Sequence, residues 1–157
     1  EIRLSLVGSE MCIRDSAGLA TPLSDDDMAA LGKSFPLGAR EASILRRARR
    51  AAASLDTGAL PKGVWDWYEL LSPLSPEGRV YLLARCPSAE LHEAVDSYER
   101  RWRREQTLVS GEDVLRMGAP AGPALTELLS AVLRARLEGR VRTRDEEEAL
   151  LRELLRR

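Results

Sequence analysis

Apolar residues recur along this chain at the three- and four-residue spacing that places them on one face of an α-helix. Ala42, Leu45 and Ala48 begin one such series, which continues to Leu55. The two-residue alternation of strands does not occur, and no repeat of fixed length emerges. The pattern predicts an all-α protein, with helices over Ser24 to Gly32, Ala39 to Leu55, Val64 to Leu71, Ser75 to Cys86, Ser88 to about Gln106, Ser110 to Gly118, Pro123 to Gly139, and Thr143 to Leu155.

Polar residues mark where several of these helices begin. Ser75, Ser88 and Ser110 each precede an apolar series, and a serine side chain there accepts a hydrogen bond from a free backbone N–H. Thr143 and Glu146 have the spacing of a capping box, in which each side chain binds the other residue's backbone N–H. The sequence therefore predicts N-caps at these four positions.

Composition excludes several classes of site. Two cysteines and one histidine (Cys12, Cys86 and His92) are too few for a disulfide framework or a zinc site. The acids at 25–27 occupy successive helical positions that point in different directions, so they are expected to cap a helix and not to bind a metal ion. The low cysteine content favours a reducing, cytoplasmic setting. Because no run of about 18 apolar residues occurs, we expect no membrane span.

Residues 1–16 differ from the rest of the chain. Their sequence from Ser5 to Ser16 resembles a translated sequencing adapter, and it lacks the cleavage site of a signal peptide. We expect this segment to be non-native and exclude it from the fold. Three acids and two bases lie in it, so the remainder carries equal numbers of each. Binding to a polyanion must therefore depend on where the charges lie.

Arginine is concentrated in three short clusters. A guanidinium matches a phosphate with two parallel hydrogen bonds, so each cluster is a candidate for holding an RNA backbone without reading its sequence. The alternative is an ordinary solvated helix surface, and charge alone leaves both open. The clusters are Arg46, Arg47, Arg49 and Arg50; Arg100, Arg101, Arg103 and Arg104; and Arg134, Arg136, Arg140, Arg142 and Arg144, interrupted by Glu138.

Trp65, Trp67 and Tyr68 form the densest aromatic group in the sequence. Such a group can stack on single-stranded bases, as in many RNA-binding proteins. In a chain with few other aromatics, the more frequent role is packing of a helix against its neighbours. Core packing is therefore the favoured interpretation.

The last third of the chain carries an ordered motif. It runs Ser110-Gly111-Glu112-Asp113-Val114-Leu115, then Gly118, then Gly122-Pro123, then Gly139-x-Val141-x-Thr143-Arg144-x-Glu146-Glu147. This string resembles the tail of bacterial tRNA nucleotidyltransferases and their poly(A) polymerase relatives. Their pattern has a serine or threonine followed by glycine, any residue, aspartate and leucine, then glycine-proline, then a threonine-arginine-x-glutamate finish. One departure is Val114, where the family has leucine.

The resemblance implies a function and a missing part. The family adds C, C and A to tRNA 3′ ends from CTP and ATP with Mg²⁺, and some members add only A or only the two C residues. Its catalytic head contains a glycine-serine turn followed by paired aspartates, and no strand pattern followed by such a turn occurs here. The head and neck are expected to be missing, so no catalytic residue is assigned and this chain alone is expected to be inactive and to hold no cofactor.

The expected organisation is a helical body over residues 17–107 followed by a helical tail over 108–157. The resemblance implies that body and tail hold the acceptor and T-arm region of tRNA, with the basic turn from Arg134 to Arg144 contacting phosphates. Two alternatives stay open. One is a protein–protein interaction module whose arginines only keep it in solution, and the other is a parent enzyme of the poly(A) polymerase type.

Overall fold

A computed structural model describes residues 38–56 and 60–156 of the chain. These residues form seven α-helices and no strand, which confirms the all-α prediction over this part. The helices are α1 Ala39–Asp56, α2 Val64–Leu71, α3 Pro76–Arg85, α4 Ala89–Arg100, α5 Gly111–Arg116, α6 Pro123–Leu137 and α7 Arg144–Leu154, with a 3₁₀ turn at Trp102–Arg104. No helix in the described ranges is both long and apolar enough to cross a membrane.

The chain divides into two compact units. The first contains the described residues up to 62 together with 67–96, and the second contains 63–66 and 97–156. The predicted boundary between residues 107 and 108 stays a prediction. The expected helix after Ser24, the acids at 25–27 and the unusual segment 1–16 lie outside the described residues.

In the first unit, α1 packs against α3. Leu45, Ala48 and Ala52 form the buried face of α1, as their spacing predicts. Gly78 of α3 is buried, and a Cβ atom built on it would lie 3.6 Å from the Cβ of Ala48. Small residues on both helices therefore allow the two backbones to approach closely. Trp67 is also buried, in keeping with a packing role.

The serines predicted as N-caps are confirmed at the start of α3 and α4. The Ser75 hydroxyl accepts a hydrogen bond from the N–H of Gly78 at 3.2 Å, and Pro76 occupies the first turn of α3. The Ser88 hydroxyl accepts one from the N–H of Leu91 at 3.1 Å. Each serine satisfies a donor that the helix itself cannot.

The helix predicted to run to Gln106 ends earlier, and that boundary was wrong. α4 stops at Arg100, and Arg101 leaves the helical region with φ −128° and ψ −62°. The next residues form a 3₁₀ turn in which Trp102 is buried. The apolar spacing of the sequence continues through Trp102, but a 3₁₀ turn and not a longer α-helix buries this indole.

In the second unit, α6 packs against both α5 and α7, and an apolar core cluster includes residues of all three helices. Its buried members are Val109, Val114, Ala119, Val132 and Leu151. Partly buried apolar side chains surround them: Met117, Leu125, Leu128, Leu129, Leu150 and Leu155. Leucines of α6 and α7 therefore supply much of this core.

Two helices of this unit end at a glycine in the left-handed region. Gly118 after α5 has φ 98° and Gly139 after α6 has φ 75°, values that residues with a Cβ atom rarely adopt. After α6, the N–H of Arg140 donates to the carbonyl of Ala135 at 2.8 Å, and the N–H of Gly139 donates to that of Arg136 at 2.9 Å. This is the Schellman hydrogen-bond pattern, which turns the chain out of the helix. Both predicted helix ends are confirmed.

Candidate nucleic-acid interface

Hydrogen bonds to the backbone fix both ends of the turn between α6 and α7. Gly139 closes α6, and the capping box predicted at Thr143 opens α7. The Thr143 hydroxyl accepts from the N–H of Glu146 at 3.3 Å, while the Glu146 carboxylate accepts from the N–H groups of Thr143 at 3.0 Å and Arg142 at 2.6 Å. These last two bonds hold the pKa of Glu146 below its ordinary range. The intervening side chains are therefore carried on a fixed backbone.

Arg136 differs from the other arginines of this turn because its side chain is mostly buried where it pairs with acids. Its side chain is 14% exposed and contacts two carboxylates. One guanidinium nitrogen, Nη1, donates to Glu147 Oε1 at 2.8 Å, and Nη2 donates to Glu105 Oε1 at 2.7 Å. The hydrogen bond that Arg136 donates to Glu147, followed by those it donates to Glu105 and the charge of Glu105, raises the pKa of Arg136. Its place in the structure is that of a bridge between α6, α7 and the segment before α5.

Glu147 completes this bridge and is fully buried. Its second oxygen, Oε2, accepts hydrogen bonds from the backbone N–H groups of Leu108 at 2.8 Å and Val109 at 2.9 Å. The carboxylate thus accepts hydrogen bonds from two backbone amides and from the Arg136 guanidinium, which also binds Glu105. The sequence did not single out Glu147 as a structural residue, because it is one of four consecutive acids at 145–148. Its position four residues before buried Leu151 was the available signal.

Arg134 and Arg140 share one carboxylate, that of Glu138. Arg134 Nε donates to Oε1 at 2.9 Å, and Arg140 Nε donates to Oε2 at 2.8 Å. The bond from Arg134, with the bond and charge of Arg140, holds the pKa of Glu138 below its ordinary range. Two guanidiniums and one carboxylate leave one net positive charge at the end of α6.

Arg144 joins a second chain of charges that links α7 to α5. Its Nη2 lies 3.0 Å from Asp113 Oδ1, and its Nε donates to Glu148 Oε1 at 3.2 Å. The Glu148 bond, followed by the charge of Asp113, raises the pKa of Arg144. Arg116 pairs with the same aspartate and Arg152 with the same glutamate. Three arginines and two acids again leave a surplus of one positive charge.

Arg142 is exposed, and its guanidinium forms no ion pair within the described part of the chain. Its backbone is occupied at both ends, since its N–H binds Glu146 and its carbonyl accepts from Arg136 Nη1 at 3.4 Å. The side chain is therefore fixed at its base while its charge faces solvent.

Four exposed arginines lie on or beside this turn, and we call them the arginine rim: Arg134, Arg140, Arg142 and Arg144. Where they are paired, the acids lie inward, because the side chains of Glu138, Glu148 and Asp113 are 28%, 27% and 10% exposed. The side chains of Arg134, Arg140 and Arg144 are 51%, 56% and 52% exposed. A guanidinium has five N–H donors, so each keeps donors that can reach an anion from solvent.

The remaining motif residues act in the local backbone. The Ser110 hydroxyl accepts from the N–H of Asp113 at 3.2 Å, and Asp113 Oδ2 accepts from the N–H of Ser110 at 2.8 Å, which forms a second capping box. These bonds, ahead of the charges of Arg144 and Arg116, hold the pKa of Asp113 below its ordinary range. Gly111 starts α5, Gly122 has φ 111° as the N-cap of α6, and Pro123 follows it at the first turn.

In the first unit, the arginines of α1 lie in different environments. Arg46 and Arg50 are exposed, whereas Arg49 is half-buried. Arg47 is exposed and donates from Nη1 to the carbonyl of Pro73 at 3.4 Å. The predicted RNA-binding role of this cluster stays a prediction.

No group of three or more histidine, cysteine or acidic side chains in the described part of the chain could hold a metal ion. His92 is exposed and Cys86 is a half-buried free thiol at the end of α3.

Comparison with known proteins gives one partial similarity. The chain is 40% identical over 82 residues, 52% of its length, to the A-adding tRNA nucleotidyltransferase of Geobacter sulfurreducens. The match covers 9% of that enzyme, so this chain spans only a small part of its length. No family model and no solved structure matches. The resemblance drawn from the motif is supported as a partial relationship to a tRNA nucleotidyltransferase.

Proposed function

We propose that this chain is a helical tRNA-binding part of a tRNA nucleotidyltransferase and that it binds RNA phosphates through the arginine rim. The observation that carries the proposal is the exposure of four arginine side chains on and beside a turn whose backbone is fixed at both ends, three of them paired with acids that are less exposed than the arginines. The partial similarity to an A-adding tRNA nucleotidyltransferase supplies the class of RNA.

RNA recognition by such a surface is physically reasonable for a duplex. The major groove of A-form RNA is too deep and narrow for side chains, so proteins contact its phosphates and 2′-hydroxyls. Guanidiniums suit this task because they are always charged and bind a phosphate in a two-pronged geometry. The acceptor and T-arm region of tRNA is a helical duplex of this kind, and we assign it to the arginine rim.

We do not assign the nucleotide-adding reaction to the described residues. Addition of CCA, or of A alone, with Mg²⁺, CTP and ATP is assigned to parts of the enzyme other than this helical module. The exposed arginines of α1 remain candidates for further phosphate contacts.

The proposal is tested by measuring tRNA binding to the whole chain by electrophoretic mobility across a range of salt concentrations. Binding that depends on phosphate contacts weakens steeply as salt rises. The variants Arg140→Gln and Arg142→Gln should each weaken binding by about ten-fold, the value of one charge-assisted hydrogen bond. Each should also lower the slope of log K against log salt by about one.

Arg85→Gln is the matched control, because Arg85 is an exposed arginine of the first unit paired with Asp56 at 3.2 Å. It removes the same charge and should change tRNA affinity less than about two-fold. Absence of tRNA binding at low salt would overturn the proposal in favour of the protein–protein interaction module. Equal losses for all three variants would show that net charge alone, and not the arginine rim, governs binding.

A further inference from the structure

A cleft in the first unit lies between α1 and the turn that joins α2 to α3. Its volume is about 230 Å³, and its walls are Arg40, Ser43, Ile44, Arg47, Pro73 and Ser75. This is smaller than the roughly 300–1,000 Å³ of pockets that hold drug-sized ligands. The occupant that fits is therefore a small chemical group.

The walls of the cleft are basic. Two of the six lining residues are arginines, and none is acidic. Arg40 and Arg47 lie seven residues apart on α1, which is two helical turns, so both project from one side of the helix. Between them on that side is the Ser43 hydroxyl, which can donate a hydrogen bond.

The guanidinium of Arg47 is oriented by the opposite wall. Its Nη1 donates to the carbonyl oxygen of Pro73 at 3.4 Å, across 26 residues of sequence. One of its five donors is used in this way, and the others are left for an anion. Ser75 has a different role, since its hydroxyl already accepts from Gly78 as the N-cap of α3.

We propose that this cleft is a phosphate-binding site formed by Arg40, Ser43 and Arg47. Two guanidiniums and one hydroxyl supply charge and directional donors for the oxygens of a phosphate group, and no carboxylate lines the cleft to repel it. The site belongs to the first unit and does not depend on the arginine rim of the second. The phosphate can come from an RNA backbone or from a free nucleotide.

One acid near the site provides a sharp control. The hydrogen bond from Ser75 is the main cause that lowers the pKa of the Glu77 carboxyl, and the positive charge of Arg40 lowers it further. Glu77 does not line the cleft, but its negative charge acts on Arg40 and opposes the approach of an anion. Glu77→Gln should therefore tighten phosphate binding, an effect in the opposite direction from loss of an arginine.

The test is a titration of the isotope-labelled whole chain with inorganic phosphate, followed by the NMR signals of the Ser43 and Ile44 amides and the arginine Nε–H groups. Saturable shifts should be confined to the cleft. Arg40→Gln and Arg47→Gln should each raise the dissociation constant about ten-fold. Arg85→Gln, with the same loss of charge elsewhere in this unit, should leave it within about two-fold.

Absence of shifts at the cleft in the folded wild-type chain would overturn the proposal. So would equal weakening by Arg40→Gln, Arg47→Gln and Arg85→Gln, which would show non-specific attraction. Parallel titrations with adenosine monophosphate and with tRNA identify the source of the phosphate. The ligand that supplies it should shift the cleft signals at a lower concentration than inorganic phosphate does. If phosphate binds here while tRNA binds nowhere, the cleft stands and the function proposed for the arginine rim fails.

Discussion

At the scale of single residues, the five arginines of the basic turn have two different environments. Sequence reasoning grouped Arg136 with its neighbours, but its guanidinium is held by Glu105 and Glu147, which lie 31 and 11 residues away. Pairings over such separations depend on how helices pack, and no local pattern reveals them. Charge alone predicted exposed arginines in this turn, but it did not predict that Arg136 would be mostly buried.

The bridge built on Glu147 predicts a strong effect on stability. Glu147→Ala removes the acceptor of two backbone amides and leaves Arg136 with one carboxylate, which should lower the free energy of unfolding by about 3–5 kcal/mol. Glu147→Gln keeps an acceptor for the amides but loses the charge, so its cost should be intermediate. Urea denaturation followed by circular dichroism measures both.

Glu127→Ala is the control for this comparison, since Glu127 is an exposed acid of α6. Its free energy of unfolding should change by no more than about 0.5 kcal/mol. A loss in Glu147→Ala as small as that of the control would contradict the role assigned to the bridge.

At the scale of helices, the beginnings and ends were the best-predicted features. Serine, threonine and glycine signals at Ser75, Ser110, Gly118, Gly139 and Thr143 act through bonds within a few residues, so the sequence displays them directly. The end of α4 was missed because its cause is the burial of Trp102 through a 3₁₀ turn. Local signals predict caps, and tertiary packing decides the exceptions.

The capping box of α5 makes stability depend on pH. Because folding lowers the pKa of Asp113, its stabilising contribution is complete above the unfolded pKa near 4. That contribution is lost as the pH falls through the lower, folded value. Asp113→Asn should therefore lose less stability than the wild type when urea midpoints are compared from neutral pH down to about 3.

Glu127→Gln serves as the control here, because its carboxylate accepts none of the hydrogen bonds that define a helix cap. It should keep the acid sensitivity of the wild type. Parallel loss of stability in Asp113→Asn and wild type would show that this aspartate does not contribute to the pH dependence.

At the scale of the whole molecule, a chain with a net charge of −1 presents basic surfaces by segregating its charges. Asp113 and Glu147 of the second unit are buried as cap and partner, and Glu148 is half-buried, while the arginine rim stays in solvent. The sequence predicted the fold class and the clusters. It could not predict this segregation, which arises from pairings between α5, α6 and α7.

The whole chain is expected to add no nucleotides by itself. Incubated with tRNA, CTP, ATP and Mg²⁺, it should give no labelled product, since the sequence shows no strand pattern followed by the glycine-serine turn and paired aspartates that the resemblance places in the catalytic head. A complete tRNA nucleotidyltransferase in the same reaction is the positive control. Incorporation above background would contradict the assignment of catalysis to other parts of the enzyme.

The closed turn between α6 and α7 has a consequence for how this surface can evolve. Its shape depends on Gly139, Thr143 and Glu146, which satisfy the backbone at both helix ends. The side chains of Arg140 and Arg142 take no part in those bonds, so mutation can add or remove positive charge there while the turn keeps its shape. Selection can thus adjust the affinity of the surface for its ligand largely apart from selection on folding.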